Sequence, residues 1–292
     1  MKKICESMPS VESIRAVNYP IHLKEIIVVE GENPSLQRNV GVQRSSGEIL
    51  YFLDDNSRLE KRTIEYLLHG FEDFPDVVGI GGPSIEFEKN ETHLQDGIGL
   101  AFSSTFGRAP SRSRLFSLGF PRLATEYELI LCNFAIKRSI WGKCGEFDAR
   151  LYPSEENDFL IRLKNHGCKF LYHPLMIVRR KPRENLRQLS RQLFRYGKAR
   201  SEQIKINLKS YNLLQFFPTL LLIYFISLLI ISAKFFFLQP PSSVKAFTIN
   251  WAIIASWMPT IAYMSLIFLG SLASGFSSTR QRFRLFTYLL VI

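Results

Sequence analysis

Residues 47–56 read GEILYFLDDN, and this stretch decides the fold class. Its apolar part, Ile49–Leu53, is a near-continuous hydrophobic run, which is typical of a parallel strand buried on both faces. Glu25–Val29 (EIIVV) is a second run of this kind, and Val77–Gly81 is a third, shorter strand candidate. The central run ends in Asp54-Asp55-Asn56, so the sequence predicts polar side chains at the carboxyl end of a strand.

Helix signals alternate with these strand candidates. Asn33 followed by Pro34 is a helix start, and Gly47 is a plausible stop. After the acidic loop, apolar residues recur at helical spacing, namely Ile64, Leu67, Leu68 and Phe71. This alternation predicts an α/β fold with a Rossmann-like sheet, in which ligands bind at the carboxyl ends of the strands. The sequence has no G-x-G-x-x-G motif and no Walker loop, which argues against dinucleotide and P-loop proteins.

Composition and charge narrow the class further. The chain has 292 residues, of which 46% are hydrophobic and 22% charged, and this excludes a disordered or collagen-like protein. The four cysteines are too sparse for a disulfide scaffold, so we expect free thiols in a reducing compartment. The first ten residues lack the apolar region of a cleavable signal peptide. The net charge of +11 indicates an anionic partner or surface.

The carboxyl-terminal part is apolar enough to predict membrane-spanning segments. Residues 213–231 are nineteen residues without a charge, and 246–279 is a second uncharged stretch. We expect spans at about 213–233 and 250–275 and the start of a third at 285–292, because about 20 apolar residues cross a bilayer. Eleven Lys or Arg against two Glu precede the first span, within 179–209. The positive-inside rule then places the amino-terminal domain, 1–183, in the cytoplasm.

The segment 184–209 is predicted to be a basic amphipathic helix on anionic headgroups. It carries apolar residues at helical spacing, Leu186, Leu189, Leu193 and Tyr196, with arginines around them. The charge is therefore assigned to membrane lipids, and no motif indicates nucleic-acid binding. Core helices of a soluble domain remain the alternative interpretation of the apolar tail.

Three polar segments are candidates for chemistry. Asp54-Asp55-Asn56 offers oxygen ligands for a hard divalent cation, although a structural turn explains the same residues equally well. Glu155 and Glu156 begin a helix that Ser154 can cap and Gly167 ends, and acids in its first turn also complement the helix dipole. A carboxylate there is also a candidate general base. Gln192–Gly197 (QLFRYG) is the third, and it is also compatible with an interfacial helix.

Taken together, in this order and spacing, these segments resemble a family 2 glycosyltransferase of the GT-A fold in its membrane-anchored form. The resemblance covers roughly residues 19–200 and extends to enzymes of succinoglycan-type surface polysaccharide synthesis. It rests on six segments: EIIVVEG (25–31), NPSLQRNVG (33–41), GEILYFLDDN (47–56), CNFAIKRSIWGKCGEFDARL (132–151), EENDFLIRL (155–163) and QLFRYG (192–197).

The resemblance implies a function and a set of site residues. It implies an inverting hexosyltransferase that moves a sugar from a nucleotide-sugar donor to a polyprenyl-phosphate-linked or glycan acceptor at the cell membrane. Glu156 would be the catalytic base, and Mg²⁺ or Mn²⁺ would lie at Asp54 and Asn56. The donor nucleotide would contact Glu30, Arg38, Asp54 and Asp55, and the diphosphate or acceptor would contact Gln192, Arg195 and Tyr196.

The comparison with the family pattern also leaves alternatives open. The family opens with a strand carrying a P-x-Y-N-like motif, and no such motif precedes Tyr19. We therefore expect a sheet without its first strand and a chain shortened at both ends. A non-catalytic remnant of a glycosyltransferase is the second hypothesis. A membrane transport subunit is the third, although the predicted spans lack the ionisable residues that such a protein would need.

Overall fold

The structure is a computed structural model that describes residues 8–17, 25–86, 109–180, 185–206, 216–238 and 256–269 without 267. The chain divides into two units, Met1–Ile206 and Asn207–Ile292. The first unit contains the α/β domain, and the second contains the apolar tail.

Six named α-helices lie in the described part of the chain, numbered here in chain order. They are α1 (Pro9–Arg15), α2 (Pro34–Arg44), α3 (Thr63–Asp73), α4 (Glu155–Asn165), α5 (Leu186–Ile206) and α6 (Phe217–Leu238). Three 3₁₀ segments lie between them, at Ala109–Arg114, Arg138–Ile140 and Ala149–Leu151. The helices predicted after Asn33 and the acidic loop are confirmed as α2 and α3. The helix predicted within 184–209 is found as α5, and its place on membrane headgroups stays a prediction.

Eight strands form two sheets in the described part of the first unit. The strands are β1 (Ile49–Leu53), β2 (Arg58–Leu59), β3 (Val77–Gly81), β4 (Ser84–Glu86), β5 (Arg122–Ala124), β6 (Asn133–Lys137), β7 (Lys169–Tyr172) and β8 (Val178–Arg180). The larger sheet has the order β1-β6-β3-β7-β5, and the smaller has the order β2-β8-β4.

The larger sheet is mixed, and the parallel strand expected at Ile49–Leu53 is antiparallel to its neighbour. β1 runs antiparallel to β6, with Leu53 opposite Asn133, whereas β3 and β7 are parallel. The apolar runs arise because both faces of the sheet are covered. Leu50 and Phe52 of β1 belong to one core cluster, and Ile49 and Tyr51 pack against the other.

The predicted strand at Glu25–Val29 is also wrong. Residues 25–30 are extended but form no strand pairing among the described residues. A strand requires a neighbour for its backbone hydrogen bonds, and here side chains take that place in part. The Gln37 side chain donates to the carbonyl of Val29 at 2.8 Å, and Glu25 accepts from the amide of Ser46 at 2.9 Å.

The predicted helix ends have mixed outcomes. Asn33 caps α2 as predicted, since its Oδ1 accepts from the amides of Ser35 and Leu36. Gly167 follows α4 with a φ of +77°, a left-handed conformation that favours glycine. Ser154 precedes α4 but makes no side-chain cap hydrogen bond, so its predicted capping role is wrong.

The second unit contains α6 and a further helical stretch at 256–266. Within this unit the Tyr224 hydroxyl donates to the carbonyl of Ser256 at 2.5 Å, and Trp257 Nε1 donates to Ser232 Oγ at 3.2 Å. Over the residues that the structure describes, no helix combines the length and apolarity needed to cross a membrane. The predicted spans are therefore not confirmed. Much of the second span and the stretch 285–292 lie outside the described residues.

Candidate active site

Asp54 lies directly after β1, between two arginines. Its Oδ1 is 3.2 Å from Nη2 of Arg38, and its Oδ2 is 3.2 Å from Nη1 of Arg180. Arg38 comes from α2 and Arg180 from the end of β8, so three elements meet at this carboxylate. The Asp54 side chain is still 28% exposed. The end of β1 is thus open to solvent and rich in fixed charge.

Arg38 joins Asp54 to the start of α4. Its Nη1 donates to Oε1 of Glu155 at 2.7 Å, while its Nη2 reaches Asp54. One planar guanidinium therefore holds two carboxylates from distant parts of the chain. The helix that carries Arg38 is itself fixed, because Asn39 exchanges two hydrogen bonds with the backbone of Phe147, at 2.9 and 3.1 Å.

Glu155 is a buried carboxyl group, with 4% of the residue exposed. Burial, followed by the nearby charge of Glu156, raises the pKa of Glu155 to about 7, although Arg38 opposes the shift. The side chain uses only one oxygen in hydrogen bonding to the described residues. Its Oε2 is buried and has no partner among them.

Glu156, the predicted base, has a partner at each oxygen. Oε1 accepts from Nη1 of Arg114 at 2.9 Å, and Oε2 accepts from the amide of Leu131 at 3.0 Å. Arg114 is buried and also donates to the carbonyls of Glu126 and Tyr127. These bonds fix the direction of the Glu156 carboxylate. Each oxygen keeps a second lone pair that can accept a further hydrogen bond.

Asp55 and Asn56 are exposed, beyond Asp54 on the same loop. Asp55 Oδ1 accepts from the amide of Asn56 at 2.8 Å. Among the described residues, no group of three His, Cys, Asp or Glu side chains could hold a metal ion. The loop does offer carboxylate and amide oxygens to a hard cation. This set fits a metal bound mainly by the phosphates of a ligand, with one or two protein oxygens.

The remaining predicted residues lie apart from this cluster or at its margin. Glu30 is exposed at the end of the extended segment 25–30. On α5, Gln192 Nε2 donates to the hydroxyl of Tyr196 at 2.6 Å, and Tyr196 interacts electrostatically with Arg180. Arg195 is exposed. The structure thus brings together Arg38, Asp54 and the glutamates of α4, with Tyr196 near Arg180.

A comparison with protein families identifies this domain. The family described as "Glycosyltransferase like family 2" matches residues 10–199, which is more than half of the chain. The chain belongs to glycosyltransferase-like family 2. No curated protein matches the sequence significantly.

A solved structure resembles the family 2 chain at low identity. It is the mannosyltransferase PcManGT from Pyrobaculum calidifontis in complex with GDP-Man and Mn²⁺. The TM-score is 0.44 and the sequence identity is 14%, over 89% of this chain and 65% of that chain. The present chain therefore spans less than two thirds of the length of that protein.

The family 2 domain contains site residues that sequence reasoning did not assign. Arg180 was counted only within the basic stretch 179–209, Arg114 was not singled out, and Glu155 was given no role of its own. The sequence of β8, VRR, gives no sign that Arg180 reaches Asp54, because the two residues are brought together only by the tertiary structure. Burial lowers the pKa of Arg180, but Cys132 and Asp54 outweigh this effect and raise it overall.

Arg200 is a further residue that was missed, and it lies on α5. Burial and the charge of Arg114 lower the pKa of Arg200, while Tyr127 and Glu156 act in the opposite direction. α5 therefore brings its own cation toward the Glu156 cluster of the glycosyltransferase domain. The helix buries Leu189, Ala199 and Gln203, so one of its faces packs within the first unit.

Proposed function

We propose that this chain is a membrane-bound inverting glycosyltransferase of cell-surface glycan synthesis. It would transfer a sugar from a nucleotide-sugar donor to a polyprenyl-phosphate-linked or glycan acceptor. The observation that carries the proposal is the convergence of Arg38, Asp54, Glu155 and Glu156 at one strand end within the family 2 domain. Arg38 and Asp54 are suited to binding a donor, and the two glutamates are suited to accepting a proton.

The donor side of the proposal rests on charge. A nucleoside diphosphate is a poor leaving group unless its developing negative charge is neutralised. Arg38 and Arg180 place two guanidinium groups at Asp54, and guanidinium binds phosphate oxygens with two parallel hydrogen bonds. Asp54 and Asn56 would hold Mg²⁺ or Mn²⁺, which when bound supplies further positive charge to the diphosphate. Asp55 and Glu30 are proposed to contact the nucleoside.

The acceptor side rests on Glu156. A general base must accept the proton of the acceptor hydroxyl as that oxygen attacks the anomeric carbon. Arg114 and the amide of Leu131 hold the Glu156 carboxylate in one orientation. Attack from the side opposite the leaving diphosphate inverts the configuration at that carbon. Neighbouring Glu155, tied to Arg38, would connect the proton acceptor to the donor-binding residues.

The membrane side of the proposal rests on sequence. The basic helix α5 and the apolar tail would keep the active site at the cytoplasmic face of the cell membrane, in a multi-pass protein. Gln192, Arg195 and Tyr196 of α5 would approach the diphosphate or a lipid-linked acceptor. A polyprenyl-phosphate sugar presents its head group at this interface.

A donor screen tests the proposal. The full chain in membranes is incubated with UDP-glucose, UDP-galactose or GDP-mannose and a membrane lipid extract, and nucleoside diphosphate release is measured with and without EDTA. We expect release with at least one donor and its loss in EDTA. Release that persists undiminished in EDTA would contradict the metal assignment, and no release with any donor would contradict the transferase assignment.

A further inference from the structure

One oxygen of Glu155 stands out among the buried polar atoms. In the described residues, the buried side-chain atoms without a hydrogen-bond partner are Ser35 Oγ, Ser57 Oγ, Gln203 Nε2 and Glu155 Oε2. Three of these belong to neutral groups, for which the cost of burial is modest. Glu155 is the only one of the four that can carry a charge, and in its ionised form an unsatisfied buried oxygen is costly, so this oxygen calls for an explanation.

The position of this oxygen gives the explanation. Glu155 Oε1 is held by Arg38, and the same guanidinium contacts Asp54, whose side chain is partly exposed. The Arg38 guanidinium thus links Glu155 directly to Asp54, the residue proposed to face the donor. The Glu155 side chain is only 5% exposed, so bulk water does not solvate it freely. Its natural partner is a donor group on a bound ligand.

The neighbouring glutamate shows that the unpaired oxygen is not a property of the helix end. Glu156 occupies the same first turn of α4, yet both of its oxygens have protein partners. Of the two glutamates, only Glu155 has an oxygen without a hydrogen-bond partner among the described residues. Burial raises the pKa of Glu155 to about 7, so Oε2 can accept a hydrogen bond when the carboxyl group is ionised and can donate one when it is protonated.

We propose that Glu155 binds a hydroxyl group of a sugar ring through Oε2; on the donor, this contact selects which sugar is transferred. The inference rests on the proposed function and adds a specificity-determining residue to it. The donor sugar is the favoured source of the hydroxyl, because Arg38 ties Glu155 to Asp54 rather than to the acceptor-side arginine. An acceptor sugar offers the same chemistry, and the experiment separates the two.

The test compares Glu155→Gln with the wild-type full chain. Glutamine keeps a carbonyl oxygen for Arg38 and replaces Oε2 by an amide group that cannot accept a hydrogen bond. Dissociation constants are measured by calorimetry for UDP and GDP and for UDP-glucose, UDP-galactose and GDP-mannose. Donor and acceptor KM values are measured in the transfer assay. Glu126→Gln is the matched control: Glu126 is a buried glutamate whose side chain pairs with Lys164, and the substitution keeps the backbone carbonyl that accepts from Arg114.

We expect Glu155→Gln to bind free nucleoside diphosphate within about threefold of wild type and the sugar nucleotide about 10- to 100-fold more weakly. Glu126→Gln should match wild type for both ligands. A rise in the acceptor KM alone would support the sugar contact and assign the hydroxyl to the acceptor.

Two results would overturn the inference while leaving the proposed function intact. One is an equal loss of affinity for diphosphate and sugar nucleotide, which would mean that Glu155 acts only by positioning Arg38. The other is a Glu155→Gln variant whose dissociation constants and KM values equal those of a wild-type chain that transfers sugar. A wild-type chain that binds no sugar nucleotide would overturn both the inference and the proposed function.

Discussion

Glu155 and Glu156 are adjacent in sequence, but their carboxylates lie in different surroundings. Glu155 is buried against Arg38, and one of its oxygens has no partner among the described residues. Glu156 is held by Arg114 and the amide of Leu131. Successive residues of an α-helix are rotated by about 100° around its axis, so two neighbours at a helix start face different parts of the domain. Substitutions of the two residues are therefore expected to have different effects.

Glu156→Gln is expected to slow the chemical step. Removing the proton acceptor should lower kcat on the order of 10²–10⁴-fold while the donor dissociation constant stays near the wild-type value. Steady-state kinetics and donor calorimetry measure the two quantities separately. As a helix-dipole acid alone, Glu156 would contribute only about 0.3–1 kcal/mol of stability, and the variant would then turn over almost normally.

Glu155 is expected to affect stability in a pH-dependent way. Its pKa is raised to about 7 in the folded protein, so between its ordinary value of 4.5 and about 7 the folded chain holds the proton more tightly than the unfolded chain. The contribution of Glu155 to stability therefore falls as the pH rises through this window. Glutamine carries no charge to bury. Relative to wild type, Glu155→Gln should gain up to about 3 kcal/mol in unfolding free energy between pH 4 and pH 8.

Chemical denaturation of both proteins at pH 4, 6 and 8 measures this difference. Glu126→Gln serves as the control, because its parent carboxylate is paired with Lys164. A stability difference between Glu155→Gln and wild type that is constant with pH would contradict the raised pKa.

At the scale of elements, α2 is attached to the loop before α4 by two asparagines. Asn33 donates to the carbonyl of Ala149 at 2.9 Å, and Asn39 exchanges two hydrogen bonds with Phe147. These bonds join residues more than 100 positions apart in the chain. They set the distance between Arg38 and Glu155, so the charged cluster depends on them.

Asn39→Ala is expected to loosen this attachment. It leaves a buried amide and a buried carbonyl of Phe147 without partners, which should cost about 2–4 kcal/mol of unfolding free energy. Thermal or chemical unfolding measures the loss. Gln43→Ala is the control on the same helix, since its bond to Glu146 is exposed and 3.3 Å long. Equal losses in the two variants would show that the asparagine bonds are not what holds α2.

At the scale of the whole molecule, the charge distribution predicts an orientation for the proposed membrane-bound chain. Basic residues are dense before residue 210, and only two lysines lie within 232–245. A cysteine at Ser242 should therefore react with an impermeant maleimide from outside the cell, whereas one at Ser201 should react only after permeabilisation. The reverse pattern would contradict the proposed topology, and labelling of both sites from outside would contradict the cytoplasmic active site.

Much of the domain follows from local sequence. Four predicted features depend on residues within a few positions of each other, and all four are found. They are the helix cap at Asn33, the apolar face of α3, the helix α5 and the end of α4 before Gly167. Strand direction does not depend on local sequence, because an apolar run suits any strand covered on both faces. For this reason the sequence did not predict the antiparallel pairing of β1 with β6, nor that 25–30 form no strand pairing with the residues that the structure describes.

The sequence by itself determined the α/β class, the acidic strand end at Asp54 and the pair of glutamates that begins α4. Each of these is a property of a short segment, fixed by side-chain chemistry and spacing. Only the tertiary structure decided which charges meet: Arg38 with Glu155, Arg180 with Asp54, and Arg114 with Glu156. Such ion pairs join distant segments, and their partners are chosen by sheet register and helix packing, which no single segment encodes.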